Sequence, residues 1–158
     1  MKNNNIQSIK GFKDILPSEV KYYRYIENII LNIIEQYAIK EIRLPIIEKS
    51  ELFLKTIGNS TDIVNKEMYD FLDKNGDSIC LRPEGTASMV RAAIEHGLIY
   101  DRGLKKQKYM YYGPMFRHEK PQKGRYRQFH QFGIEYFGYS DTNSDLELIV
   151  LGNHIFDK

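Results

Sequence analysis

Between residues 108 and 138 the residue types run in the order of two strands, 108–117 and 127–138, joined by a basic loop. Successive side chains of a strand point to opposite faces. Tyr111, Gly113, Met115 and Arg117 therefore share one face of the first strand. Arg127, Phe129, Gln131, Gly133 and Glu135 share one face of the second. A core-facing strand would present branched aliphatics there. This face instead mixes glycines with an amide, a carboxylate and guanidiniums. Glycine inside a strand weakens it and often marks the close approach of a ligand. Gln131 and Glu135 fall about 13 Å apart along the strand, with Gly133 expected to leave open space between them. A small polar molecule lying across a sheet suits that pattern better than a merely solvated polar face.

The connecting residues 117–127 place arginines at both ends, with Lys120, Lys123 and Arg125 between them and Glu119 as the acid. Arginine binds phosphate through paired donors and keeps its charge. Phe129 could stack on a flat ring, with an arginine on the other face. No Gly-rich Walker pattern or dinucleotide fingerprint occurs, which excludes P-loop and Rossmann nucleotide sites. Over residues 103–127, eight Lys/Arg face one acid, a local charge of +7 in a chain of net charge +2. Such a patch is either a solvated face or a surface for a phosphate-bearing partner. A third piece, Leu81-Arg82-Pro83-Glu84-Gly85-Thr86-Ala87, lies at the mouth of a helix. Glu84 is a favourable first-turn anion there. With the Thr86 hydroxyl it could also grip an ammonium group.

The elements that must position these groups follow from periodicity. After Pro17 and Ser18, the residues Val20, Tyr23, Ile26, Ile29, Ile30, Ile33, Ile34 and Tyr37 recur at the helical period. A long amphipathic helix is predicted, with Glu19 in its first turn. Ile42, Leu44 and Ile46 alternate as a strand, but Pro45 cannot donate to a ladder, so the strand belongs at an edge or a chain–chain boundary. A helix is predicted over 52–57, ending near Gly58. Residues 69–72 and 78–81 flank a turn containing Asn75-Gly76 and form a hairpin. Residues 86–96 read as a helix with Ala87, Val90, Ala93 and Ile94 inward and Gly97 as its stop. A last helix over 144–156 has Leu146, Ile149, Val150 and His154 or Ile155 periodic. Hairpins rather than βαβ units imply an α+β fold with an antiparallel sheet flanked by helices.

The chain has 158 residues, 42% of them hydrophobic and 28% charged, which is the balance of one folded domain rather than a disordered chain. No apolar run approaches the roughly 20 residues of a membrane span, and no secretory signal follows the start. A cytoplasmic location is expected. Cys80 is a lone cysteine, read as a small buried residue rather than a nucleophile. His96, His118, His130 and His154 show no metal-ligand spacing, so no protein metal site is expected.

Taken together, these pieces resemble histidyl-tRNA synthetases, class II aminoacyl-tRNA synthetases, over nearly the whole chain. The resemblance rests on Gly11-Phe12-Lys13-Asp14-Ile15-Leu16-Pro17, Ile42-Arg43-Leu44-Pro45, Lys66-Glu67-Met68-Tyr69, Leu81-Arg82-Pro83-Glu84-Gly85-Thr86 and the stretch from Pro114-Met115-Phe116-Arg117-His118-Glu119 through Gln131. It implies that Arg117 is catalytic, meeting the α-phosphate of ATP and the histidine carboxylate. Glu119, Arg125 and Phe129 would join Arg117 in binding ATP. Glu84, Gly85, Thr86, Gln131 and Glu135 would join it in binding L-histidine, with Glu135 facing the imidazole. Mg²⁺ on the phosphates and tRNA(His) as a partner are implied, as is a homodimer through the long first helix and the Pro45 strand.

The family's later segments would follow Lys158: a further catalytic arginine, an imidazole-facing tyrosine, a third class II motif and an anticodon-binding domain. Residues 1–158 are accordingly expected to be the N-terminal portion of a catalytic domain, its sheet incomplete on the C-terminal side and inactive alone. Rival readings are a non-catalytic paralogue serving as regulatory subunit of ATP phosphoribosyltransferase, and a general RNA-binding module.

Overall fold

The computed structural model describes residues 6–57, 66–100, 103, 105–120, 122 and 124–158; Gly58, expected to end a helix, and Lys123 of the basic loop lie outside them. The sequence contains no linker, yet the backbone clusters into two units, each assembled from three stretches. The first holds Met1–Ile15, Pro45–Ser88 and Gly113–Gln131, and the second holds Leu16–Leu44, Met89–Tyr112 and Phe132–Lys158.

In the second unit, α1 (Pro17–Gln36) begins on Pro17, whose missing N–H is harmless in a first turn. Its C-terminal half buries Ile30, Ile33 and Ile34 with Ile39, Met110 and Leu151, each worth about 1.5–3 kcal/mol when fully buried. The N-terminal half of the predicted stripe, Tyr23 and Ile26, is exposed. The helix ends with Ala38 at φ +54°, its N–H donating to the Glu35 carbonyl, while the Ile39 N–H reaches back to Ile34. That is a Schellman cap built on alanine rather than glycine.

The helix α4 (Thr142–Phe156) starts at Asp141, whose carboxylate accepts from the Ser144 N–H at 3.1 Å. It buries Leu151 and packs Leu148 and Ile155 on the core, leaving Leu146, Ile149 and Val150 exposed. The face expected from the sequence was therefore displaced. In α3 (Thr86–Glu95), Ala87 and Ala93 are buried as expected, together with Ser88, Met89 and Ala92, whereas Ile94, expected inward, is exposed. Gly97 does stop α3, at φ +62°.

The first unit contains β2 (Ile47–Lys49), α2 (Ser50–Ile57), β3 (Tyr69–Leu72) and β4 (Ser78–Leu81). The hairpin of β3 and β4 is antiparallel as predicted. Its turn is closed by Asp73, whose Oδ1 accepts from the N–H groups of Asn75 (2.7 Å) and Asp77 (2.9 Å). β2 pairs with the other edge of β4, and Phe53, Cys80 and Ala87 form a small core. The predicted strand through Pro45 is instead two short ones. β1 (Lys40–Glu41) and β2 lie in different sheets, because proline lacks the N–H that a continuous ladder requires.

The remaining strands are β5 (Gln107–Phe116) and β6 (Gln128–Phe137), in a sheet of order β1-β5-β6. β1 pairs parallel with β5, Lys40 opposite Tyr109. This corrects the expected all-antiparallel sheet. The chain between those strands is long enough for a parallel crossover, a pairing that hairpin signals cannot disclose. The class remains α+β. No helix among the described residues is long and apolar enough to cross a membrane.

Candidate active site

The basic loop is a pinned structure in the first unit. At its base the Arg117 N–H donates to the Arg127 carbonyl at 2.9 Å, and at its tip Gln122 bridges Arg125. The His118 N–H donates to the Glu67 carbonyl at 2.6 Å, and the Arg127 N–H to the Gly11 carbonyl at 2.7 Å. Together these bonds surround a cavity of about 600 Å³ lined by Lys66, Glu67, His118, Glu119, Lys120, Gln122, Arg125 and Arg127. Arg125 Nη1 lies 3.3 Å from the Glu119 carboxylate. Cations outnumber acids around this space, a field suited to a polyanion. The sequence singled out Glu119 and Arg125. The contributions of Lys66 and Glu67 were signalled only by their short motif.

Arg117 stands at the end of β5. Its Nε–H donates to the Pro83 carbonyl at 2.8 Å, and its guanidinium carbon lies 5.2 Å from the centroid of the Phe129 ring. The arginine on the face of Phe129 is thus Arg117, across the hairpin. One residue beyond Pro83, the Glu84 carboxylate accepts from the N–H groups of Thr86 (2.5 Å) and Ala87 (2.9 Å). Glu84 therefore caps α3, the plainer of its two expected uses. A carboxylate has about four lone-pair sites, so it keeps acceptor capacity for an ammonium group. Gly85 is buried and Thr86 exposed beside it.

The strand glycines make room for protein atoms, contrary to expectation. A Cβ on Gly133 would lie 2.2 Å from Tyr111 Cζ, so the space expected to be open is filled by a buried phenol ring. A Cβ on Gly113 would lie 2.5 Å from Arg82 Nη2. Gln131 is half-buried and belongs to the same unit as Arg117, Phe129 and Glu84. Glu135 belongs to the second unit, where it lines a cavity of about 390 Å³ with Tyr136, Tyr139, Asp141, Ser144 and Asp145. Ser144 hydrogen bonds, with help from Lys106, hold the Asp141 carboxyl below its usual range. Cys80 is fully buried, and desolvation pushes its thiol up to about 11, as befits an inert core residue.

The family model described as histidyl-tRNA synthetase matches residues 11–158. The histidine–tRNA ligase of Legionella pneumophila (strain Philadelphia 1) is 57% identical over 146 residues, 92% of this chain. That of Buchnera aphidicola subsp. Schizaphis graminum is 54% identical over 149 residues, 94% of the chain. The chain spans 34% of the length of each of these relatives. Among solved structures, apo histidyl-tRNA synthetase of S. aureus superposes with a TM-score of 0.81 at 40% identity, covering 97% of this chain and 34% of that one. A Bacillus halodurans protein described as an ATP phosphoribosyltransferase regulatory subunit/histidyl-tRNA synthetase has the same fold, with a TM-score of 0.80 at 24% identity over 96% of this chain and 37% of that one.

Proposed function

The chain belongs to the histidyl-tRNA synthetase family, and we propose that it supplies ATP and histidine grips for forming histidyl-adenylate, ahead of transfer to tRNA(His). The observation carrying this reading is Arg117, anchored through Nε on Pro83 and set over Phe129 at the root of a cation-lined loop. An arginine fixed through Nε keeps its terminal N–H fork for a planar or tetrahedral anion. In this reading the fork meets the α-phosphate and the histidine carboxylate as they react. Phe129 stacks against adenine, and Glu119 with Arg125 holds the nucleotide. Glu84, Gly85, Thr86 and Gln131 receive the α-ammonium end of histidine, and Glu135 the imidazole. Catalysis then rests on positioning and on charge stabilisation, with no covalent nucleophile.

Mg²⁺ prefers one or two carboxylates plus substrate phosphates. Glu67 and Glu119 on the cavity wall fit that donor set. The ion would neutralise charge on the departing pyrophosphate. The remaining loop cations suit the acceptor end of tRNA, and the exposed Tyr22, Tyr25 and Ile26 of α1 suit a homodimer contact. The regulatory-subunit fold superposes almost equally well on this chain, so shape does not separate the two activities. Identity above half to histidine–tRNA ligases favours the ligase.

Titration of the chain with ATP tests the nucleotide grip. Saturable binding should weaken at least about fivefold in Phe129→Ala, since base–aromatic stacking is worth about 1–3 kcal/mol. Arg125→Ala should weaken it in the same direction. Equal affinity in the parent and both variants would contradict the assignment.

A further inference from the structure

Arg82 is almost completely buried, and no binding role was assigned to it from the sequence. Its Nε–H donates to the Pro114 carbonyl at 2.9 Å and Nη1 to the Pro45 carbonyl at 3.1 Å. Its backbone is held as firmly. The Arg82 N–H donates to the Ile46 carbonyl, and the Phe116 N–H donates to the Arg82 carbonyl, both at 3.0 Å. One residue thus fastens three stretches of the first unit: the segment entering β2, the end of β4 and the end of β5. The next carbonyl along the chain, that of Pro83, accepts the Nε–H of Arg117. The residue after that, Glu84, caps α3. Gly113 belongs to the same arrangement, because any side chain there would meet Arg82 Nη2.

We propose that Arg82 is a positioning residue, whose buried guanidinium fixes the Pro83 carbonyl and through it the direction in which Arg117 presents its terminal nitrogens. The importance of that aim for ligand binding rests on the proposed function; the aim itself does not. Lysine could keep the charge but offers no planar fork to hold two carbonyls on different segments. Pro83 follows Arg82 directly in the chain, so a shift of Arg82 moves the Arg117 anchor with it.

The test reads the Arg117 Nε–H directly by nuclear magnetic resonance in the full chain without ATP, with the resonance assigned through Arg117→Lys. In the parent this proton should be protected from solvent exchange. Arg82→Lys and, independently, Gly113→Ala should speed its exchange at least about tenfold through local opening. Phe53→Leu, in the core of the same unit, serves as a control, compared under conditions giving equal overall stability; its Arg117 proton should keep parental protection. Arg82→Lys should also release the guanidinium from Phe129, seen as loss of the ring-current shift. Unchanged Arg117 exchange in a folded Arg82→Lys or Gly113→Ala chain would overturn the proposal. So would an equal loss of protection in Phe53→Leu. Because no ATP is present, failure to bind ATP would count against the proposed function and leave the role of Arg82 standing.

Discussion

At Gly133 one added methyl group would sit 2.2 Å from the Tyr111 ring carbon, well inside any real contact. Tyr111 is buried and cannot swing clear. Gly133→Ala should therefore cost about 1–3 kcal/mol, as overpacked cores do. Tyr111→Leu in the same chain removes the obstructing ring atoms, so the double variant should lose less than the sum of the single losses. Urea unfolding of the four proteins measures that coupling; strict additivity would contradict the packing described. Cys80 gives a second expectation. Its thiol is pushed up to about 11 in the folded chain, so the neutral form is favoured by folding. The associated stability is present below about pH 9 and is lost as pH climbs from about 9 towards 11. Stability that stays flat over that range in denaturant melts would contradict it, as would rapid labelling of Cys80 by a thiolate-directed reagent in the native chain. Both sites show what residue identity can disclose. Glycine in a strand says that something approaches closely, but not whether a ligand or a phenol does. Arg82 was illegible for a related reason: its partners are the backbone carbonyls of Pro45 and Pro114, which carry no sequence signature.

Two helices end in the same cap on different residues. Gly97 closes α3 at φ +62°, whereas Ala38 closes α1 at φ +54°. The left-handed region costs a non-glycine residue roughly 1 kcal/mol. Ala38→Gly should accordingly stabilise the chain by about 0.5–1 kcal/mol, raising its thermal midpoint, while Gly97→Ala should lower it. A fall on introducing glycine at 38 would mean that the conformation is not the strained one described. Elements with one apolar face were legible at this scale: α1, the β3–β4 hairpin and the pair of strands around the basic loop. The burial of α4 was not, because Leu146, Leu148, Ile149, Val150 and Leu151 surround much of the helix and no period chooses among them. Pro45 was recognised as a ladder breaker. That the break separates two sheets depends on pairing with residues far along the chain.

Among the described residues, large apolar side chains lie uncovered on two helices. Tyr22, Tyr25 and Ile26 on α1 and Leu146, Ile149 and Val150 on α4 are all exposed. If α1 carries the homodimer contact, Ile26→Glu should weaken self-association at least about tenfold in sedimentation measurements, by placing a charge in an apolar contact. Loss on Ile149→Glu instead would move the contact to α4. The chain spans 34% of the length of the ligases it matches. The most direct measurement therefore places residues 11–158 in the matching stretch of the Legionella pneumophila ligase and follows histidine-dependent ATP–pyrophosphate exchange. The account predicts exchange by the folded chimera and a loss of about 100-fold or more on Arg117→Ala, the scale of losing a key charge-stabilising donor. A folded chimera without exchange, or one whose rate ignores that substitution, would contradict it.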